Sequence, residues 1–207
     1  MADAVWALGE FPTDEVVENG DGPVGVRAAR PEKPSAPVAL ADHVSALVER
    51  ARQSDKEAFG RLYQLYHGRV FRLARFHLDG AAEDVVAETF LRAWVALPRY
   101  RNTGAPFVAW LYGIARHVVA DERAAQRRVE PRAEVPDRPT DPDQDDRLAL
   151  AMAIERLPRV HRRVIELKFL IGLTNAEVAA ALGKSVGAIN TQQWRALRSL
   201  RAMMGER

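Results

Sequence analysis

The chain has 207 residues, enough for one or two domains, and its 47% hydrophobic and 28% charged content suits a folded protein with a net charge of +2. It has no cysteine, which excludes disulfides, thiolate metal sites and cysteine nucleophiles. No apolar run approaches the ~20 residues of a membrane span, and Asp3 and Glu10 stand where a secretory signal would be basic or apolar, so we expect a soluble cytoplasmic protein.

Charge alternates along the chain in four blocks. Residues 1–42 carry a net charge of −5, residues 43–127 carry +4, residues 128–146 carry −4 and residues 147–207 carry +7. The two acidic blocks are rich in proline and lack apolar periodicity, which predicts a disordered N-terminal tail and a flexible, extended linker. The basic blocks suit modules that bind a polyanion, although a solubilising coat of Lys and Arg on ordinary helices is the simpler alternative.

The first basic block predicts helices. The sequence SDKE at residues 54–57 has the form of a capping box and begins a helix that Gly80 ends. A second helix starts near Ala82 and ends at Pro98, with an apolar face at helical spacing. A third helix runs over about residues 106–127, and we place its Phe107 and Trp110 in the core.

The last block predicts about four shorter helices. The sequence TNAE at residues 174–177 repeats the capping-box form, Gly183 ends that helix, and Ser185 caps the next one. Two capped helices joined by a short glycine-containing turn are the layout of a helix-turn-helix. No segment shows the alternation of strands, so the predicted fold class is all-α, with two small helical domains joined by a flexible acidic linker.

The second helix of a helix-turn-helix lies in the major groove of DNA, and this one has suitable side chains. Asn and Gln can pair with adenine, small residues can contact a thymine methyl group, and Lys and Arg can hold phosphates. A solvated face of an ordinary helical bundle is the alternative. The candidate DNA-binding residues are Lys184, Ser185, Ala188, Asn190, Thr191, Gln192, Trp194 and Arg195.

The N-terminal block offers cations beside aromatic residues, a combination that can hold single-stranded DNA. Its candidates are Arg116, His117, Arg123, Arg127 and Arg128. The acids Glu83, Asp84 and Glu88 near the start of the second helix either complement the helix dipole or form a surface for a basic partner. The five histidines do not stand at metal-ligand spacing with acids, and no phosphate loop or nucleophile motif occurs. We therefore expect no enzyme activity, no metal and no cofactor.

Taken in order, these segments resemble the sigma-70 family, specifically the extracytoplasmic-function (group 4) sigma factors, which have two such domains. The resemblance covers about residues 43–127 and 147–203. AEDVVAETFLRAW at residues 82–94 resembles the segment that grips core RNA polymerase, and FVAWLYGIAR at 107–116 resembles the start of the helix that recognises the −10 element. The resemblance to the −35 recognition domain rests on residues 157–158, 173–179, 186–189 and 195–196.

The resemblance implies a sigma factor that directs core polymerase to promoters and assists melting of the −10 element. Glu83, Asp84, Glu88 and Arg92 would bind the clamp coiled coil of the largest polymerase subunit. Contacts to −10 DNA would come from Arg116, His117, Asp121, Arg123 and Arg127. The loop at 97–106 and the helix after it would capture a flipped base. The helix from Lys184 would recognise the −35 element, and the linker would thread the polymerase channel. Members of this family are commonly held inactive by an anti-sigma protein.

The chain departs from the family pattern where Ala87 replaces a usual Gln, where His117 and Asp121 replace Asn, and at Asn190 and Thr191 in the recognition helix. Two other interpretations stay open at this point. A helix-turn-helix regulator would bind duplex DNA without polymerase, and a helical adaptor would bind proteins only, with no salt-dependent DNA affinity.

Overall fold

The computed structural model describes residues 36–78, 80–129 and 142–205, and every regular element within these ranges is helical, as predicted. None of the helices in these ranges has the length and apolar character needed to cross a membrane. The elements are α1 (Ala36–Arg52), α2 (Lys56–His77), α3 (Ala82–Ala96), a 3₁₀ turn (Leu97–Arg99), α4 (Phe107–Val129), α5 (Pro142–Arg156), α6 (Arg159–Ile165), a π-helical turn (Glu166–Leu170), α7 (Asn175–Leu182) and α8 (Val186–Gly205).

Helix α1 begins at Ala36, six residues before the predicted end of the disordered tail at residue 42. Pro37 is compatible with this start, because the first turn of a helix does not use its backbone N–H groups. Leu47, Val48 and Ala51 of α1 are buried in the N-terminal core. The rest of the predicted tail, residues 1–35, lies outside the described residues.

The N-cap of α2 is Asp55 and not Ser54, and Ala58 at the third helical position cannot return a side-chain hydrogen bond, so the predicted capping box does not form. Asp55 Oδ1 accepts a hydrogen bond of 3.0 Å from the backbone N–H of Ala58, and its carboxylate pairs with Arg50 at 2.7 Å. Ser54 has a φ of 67° and turns the chain between α1 and α2. Because Asp55 follows this turn with extended backbone, its carboxylate is the one in position to cap the helix.

The N-terminal domain consists of α1 to α4 around a core supplied mainly by α2, α3 and α4. The face predicted for α3 is buried as expected, with Val86, Phe90, Ala93 and Leu97 inside. Burying each large apolar side chain contributes about 1.5–3 kcal/mol to the stability of the fold. This face therefore anchors α3 in the domain, and the opposite face of α3 is exposed to solvent.

The C-terminal domain consists of α5 to α8 and contains the predicted helix-turn-helix. Thr174 and Glu177 form the predicted capping box at the start of α7, with hydrogen bonds of 3.2 Å and 2.8 Å. Gly183 ends α7 with a φ of 62°, a conformation that favours glycine. Ser185 Oγ accepts from the N–H of Ala188 at 3.2 Å and caps α8, as predicted.

The two domains pack against each other. One buried apolar cluster contains Leu111 and Tyr112 of α4 together with Leu167 and Ile171 from the C-terminal domain. Of the predicted linker, residues 128–129 continue α4 and residues 142–146 begin α5, while 130–141 lie outside the described residues. The sequence predicted the two domains but not the contact between them.

Candidate nucleic-acid interface

The acidic residues of α3 lie where a partner could reach them. Glu83 and Asp84 are exposed in the first turn of the helix. Glu88 accepts a hydrogen bond of 2.6 Å from Arg92, and Arg92 also reaches Asp121 of α4 at 2.8 Å. The structure thus joins a predicted polymerase contact, Arg92, to a predicted −10 contact, Asp121.

An apolar strip beside these acids was missed from the sequence. Leu91 is 59% exposed and Val95 is 71% exposed, and together with exposed Ala87 they follow one line along α3. Exposed apolar side chains in a row, rimmed by charged groups, are typical of protein interaction sites. The sequence does contain a signal for this strip, because α3 has apolar residues on a second face in addition to the buried one.

The five predicted −10 residues of α4 separate into two sets. His117, Asp121 and Arg127 are exposed. Arg116 and Arg123 lie on a neighbouring face, where each meets a carboxylate of the C-terminal domain. Since residues seven apart share one face of a helix, this division follows from the spacing once the partner surface is known.

The side chains between the two domains form a cluster of charged and polar groups, named here the interdomain cluster. Glu166 lies at its centre with 0% exposure. It accepts from Tyr112 Oη at 2.5 Å and pairs with Arg116 at 3.5 Å and His77 Nε2 at 3.2 Å. The members are His77, Tyr112, Arg116, Arg123, Glu155, Arg162 and Glu166.

Glu155 is the second carboxylate of the cluster. It forms an ion pair with Arg123 at 2.9 Å and accepts a hydrogen bond from Arg162 at 2.5 Å, and His77 Nδ1 lies 3.6 Å away. The His77 side chain is 3% exposed and therefore lies buried between the two carboxylates. Sequence reasoning missed this group because its members come from four helices and the π-helical turn.

The neighbours of Glu166 in the cluster favour its ionised form. Burial alone would raise the pKa of Glu166, but the contacts with His77 and Tyr112 and the charge of Arg116 hold that pKa below its ordinary value. Burial and the neighbouring Glu166 carboxylate raise the pKa of Tyr112, so its hydroxyl stays protonated and donates. The hydrogen bond from the neutral Tyr112 hydroxyl to the ionised Glu166 carboxylate is therefore short and charge-assisted.

His77, Glu155 and Glu166 bring one nitrogen and two carboxylate oxygens within 4.8 Å of one another, a spacing that could suit a divalent cation. Both oxygens of Glu155 already accept from guanidinium groups, and one oxygen of Glu166 is shared by Tyr112 and Arg116. A divalent charge beside three guanidinium groups would be repelled. We interpret the group as an ion-pair cluster.

A groove with a cavity volume of about 600 Å³ lies beside the loop that precedes α4. Its aromatic walls are Tyr66, Tyr100 and Phe107, and Asn102 adds a polar group. Burial raises the pKa of Tyr66 and of Tyr100, so both hydroxyls remain donors. The sequence placed base capture at the loop 97–106, and the groove is lined by part of that loop.

The predicted −35 residues lie together on the N-terminal half of α8 and the turn before it. Most of them are exposed, and Ala188 and Gln192 are partly buried. Trp194 is 60% exposed, with the guanidinium of Arg198 5.4 Å from its ring centre. The exposed set is Lys184, Ser185, Asn190, Thr191, Trp194 and Arg195.

Asn175, at the start of α7, contacts this row and was not selected from the sequence as a site residue. Its Nδ2 donates to Oδ1 of Asn190 at 2.6 Å and to Oε1 of Gln193 at 3.0 Å. The only sequence signal was the adjacent capping box, which explains Thr174 and Glu177 but not the side chain of Asn175.

Comparisons with known proteins agree with this geometry. The family described as Sigma-70 region 2 matches residues 62–129, and Sigma-70, region 4 matches residues 147–200. The ECF RNA polymerase sigma factor BldN of Streptomyces coelicolor is 39% identical over 170 residues, which cover 76% of this chain and 64% of BldN, less than two thirds of its length. The ECF RNA polymerase sigma factor SigD of Mycobacterium tuberculosis is 34% identical over 202 residues, covering 90% of this chain and 95% of SigD.

A solved structure of CnrH in complex with the cytosolic domain of CnrY is also similar, with a TM-score of 0.58 and 27% identity over 80% of this chain and 98% of CnrH. The chain belongs to the extracytoplasmic-function RNA polymerase sigma factors of the sigma-70 family. The family assignment from the sequence is thereby confirmed, and the regulator and adaptor interpretations are not favoured.

Proposed function

We propose that this sigma factor divides promoter recognition and polymerase binding among three surfaces: α3 binds core polymerase, α4 with the adjacent groove binds the −10 element, and α8 recognises the −35 element. The observation that carries the proposal is the row of exposed polar residues on α8. This helix is the second helix of a helix-turn-helix in which both helices are capped. We further propose that the protein acts in the cytoplasm by binding alone, without catalysis.

On α8, three exposed residues supply the chemistry of base and phosphate contact. Asn190 and Thr191 can hydrogen-bond to base edges in the major groove, and Arg195 can hold a phosphate. Their position near the N-terminus of the second helix supports this role, because that end of a recognition helix meets the bases.

On α3, exposed acids and apolar side chains occur together. Leu91 and Val95 can supply apolar anchors, while Glu83 and Asp84 can attract a basic surface and fix its register. This combination supports binding to a basic coiled coil of core polymerase. Ala87, where the family usually has Gln, continues the apolar strip.

The groove beside α4 supports capture of a flipped base. Its walls include Tyr100 and Phe107, whose ring centres lie 5.5 Å apart, and Asn102 can hydrogen-bond to a base edge. Extruding a base costs a few kcal/mol, so a pocket that holds the base favours melting of the −10 element. The solved complex of CnrH with the cytosolic domain of CnrY supports the further expectation that this chain also binds a protein partner.

Run-off transcription from a randomised promoter library tests the proposal, with purified core polymerase and with or without the protein. We expect transcripts only with the protein, from templates that share two spaced elements. Leu91→Asp should abolish these transcripts by blocking polymerase binding, whereas Leu65→Asp on the exposed face of α2 is the matched control. Duplex binding without any gain in initiation would instead indicate a regulator that needs no polymerase.

A further inference from the structure

A hydrogen-bonded group of three side-chain amides, contributed by α7 and α8, lies within the proposed −35 surface. Nδ2 of Asn175 donates to Oδ1 of Asn190 at 2.6 Å and to Oε1 of Gln193 at 3.0 Å. We propose that Asn175 is a positioning residue that holds the NH₂ group of Asn190 toward DNA and thereby sets the base preferred at one −35 position. This inference rests on the proposed function, because it assumes that α8 recognises the −35 element.

The place of Asn175 is fixed by the start of α7. Asn175 is the first residue of this helix and is partly buried. Thr174 and Glu177 complete the capping box around it, with hydrogen bonds of 3.2 Å and 2.8 Å, so the cap does not use the Asn175 side chain. Because the cap holds the backbone at this point, the amide of Asn175 reaches α8 from a constant position.

Both hydrogen-bond acceptors of Asn175 lie on one face of α8. Asn190 and Gln193 are three residues apart, a spacing that makes side chains neighbours on a helix surface. An asparagine NH₂ group has two N–H donors, and both are used here, one for each side-chain oxygen. Serine or threonine would supply a single donor and aspartate none. Asparagine therefore suits position 175 by its number of donors.

This contact decides which end of the Asn190 amide is offered to DNA. Asn190 is exposed, and because Asn175 engages its Oδ1, its NH₂ group is the polar group left for a base edge. Guanine presents two adjacent acceptors, O6 and N7, in the major groove, whereas adenine places an amino group beside N7. The bidentate pair that asparagine can form with adenine needs the amide oxygen and nitrogen together. We therefore expect Asn190 to prefer guanine.

Selection with core polymerase from a promoter library randomised at the −35 element tests this preference. In the wild-type protein we expect guanine at the position whose choice Asn190→Ala relaxes. Asn175→Asp accepts instead of donating, so Asn190 turns its oxygen outward. We expect its preference to move about fivefold or more toward adenine or cytosine, which present an amino group. Asn175→Ala frees the Asn190 amide to rotate, so the preference for guanine should weaken about fivefold without reversing.

The negative charge in Asn175→Asp is separated from the change in the amide. A carboxylate near DNA repels phosphates and weakens binding to all sequences, whereas the ratio between two templates reports the base preference. A carboxylate in the first turn of α7 also complements the helix dipole, so we expect this variant to fold. Gln64→Glu, at an exposed position of α2, makes the same change from amide to carboxylate away from α8. This matched control should select the wild-type −35 sequences.

The Asn190→Ala background distinguishes a positioning residue from a direct contact. If Asn175 acts through Asn190, neither Asn175→Asp nor Asn175→Ala should change the preference at this position further in that background. A further shift of the same size would show that Asn175 contacts a base itself and would overturn the inference. A merely structural role would lower the thermal midpoint and weaken transcription from all templates alike, without moving the ratio between them.

The side-chain amide signals of the free protein test the contact without DNA. The two Nδ2 protons of Asn175 bind different oxygens, so in NMR spectra Asn190→Ala should shift one of them and leave the proton donated to Gln193 nearly in place. Unchanged Asn175 signals in Asn190→Ala, or an unchanged base preference in folded, active Asn175 variants, would overturn the inference. A wild-type protein that shows this contact but selects no −35 element would instead refute the function proposed for α8, so the two failures are distinguishable.

Discussion

The two helices proposed to meet DNA differ in whether their binding groups are free. On α8, Asn190, Thr191 and Arg195 are exposed. Asn190 accepts a hydrogen bond from Asn175, and Thr191 donates one to the carbonyl of Gly187 within the helix. On α4, Arg116 and Arg123 are held by carboxylates of the other domain. The proposed DNA-binding side chains of α8 are therefore exposed, whereas Arg116 and Arg123 of α4 are paired with carboxylates within the protein.

The difference arises from what lies opposite each helix. The recognition face of α8 meets the start of α7 through Asn175, while the helix-turn-helix packs through buried residues such as Ile189 and Ala196. The corresponding face of α4 lies against α5 and the π-helical turn, which supply Glu155 and Glu166. Availability for binding is thus decided by packing between elements and not by the composition of either helix.

Removing the central carboxylate should have the largest effect on this comparison. Glu166→Ala leaves Arg116 and Tyr112 without their buried acceptor, and we expect the free energy of unfolding to fall by about 3–5 kcal/mol. Urea unfolding measures the loss. Asp146→Ala, exposed on α5, should stay within about 0.5 kcal/mol of wild type. Equal losses in both variants would mean that the cluster does not support the fold.

Acid should weaken the interactions of Glu166 with Arg116 and Tyr112 of α4. The pKa of Glu166 is lowered in the folded protein, where His77, Tyr112 and Arg116 face it, so the folded state binds this proton less tightly than the unfolded chain. Its contribution is therefore complete above the ordinary carboxyl pKa and is lost as the pH falls through the lowered value. The difference in unfolding free energy between wild type and Glu166→Gln should shrink from neutral to acid pH. A constant difference would contradict this prediction.

A smaller effect is expected on the exposed helix. Asn190→Ala should relax the choice of base at one or two −35 positions, a loss of discrimination of ~1–3 kcal/mol, because a base-edge hydrogen bond disappears. Selection with core polymerase measures it. Ser199→Ala, farther along α8, is the control and should leave the selected sequences unchanged. If Asn190→Ala selects the same −35 sequences as wild type, Asn190 is not a recognition residue.

The smallest predicted effect contrasts a free arginine with a paired one. Arg127→Ala should weaken binding to all promoters alike and reduce the salt slope by about one, since a phosphate contact is lost. In the free protein Arg123→Ala should leave the slope unchanged, because Glu155 occupies that arginine. With core polymerase present both variants should reduce it. A promoter-selective loss in Arg127→Ala would argue against a phosphate contact.

Local features of the fold were predictable because their causes lie within a few residues. The capping box of Thr174 and Glu177 and the end of α7 at Gly183 follow from short-range hydrogen bonding and backbone geometry. The cap of α2 was displaced by one residue because Ser54 and Asp55 are both good caps, and the turn between α1 and α2 decides between them. Helix α1 was not predicted as an element, and its first residues were assigned to the N-terminal tail because they share the proline-rich composition of the segment before them.

The positions of the helices that carry the candidate site were predictable from the sequence. The pairing of side chains between the two domains was not. Tyr112 and Glu166 are 54 residues apart, and no periodicity in either segment marks them as partners. Glu166 follows two buried residues, Val164 and Ile165, so its surroundings predict burial but not its counter-charges. The pairing depends on the angle between α4 and α6, which only the packed structure supplies.

The π-helical turn at Glu166–Leu170 gives the domain contact an unusual sensitivity to chain length. The bond from Ile171 N–H to Glu166 C=O, 3.0 Å long, accommodates one residue more than an α-helical turn would. Deleting a single residue there would restore a regular helix and rotate the preceding segment by about 100° relative to the following one. A one-residue deletion in this turn would therefore remove the Glu166 contact while leaving every other side chain of the cluster in the sequence.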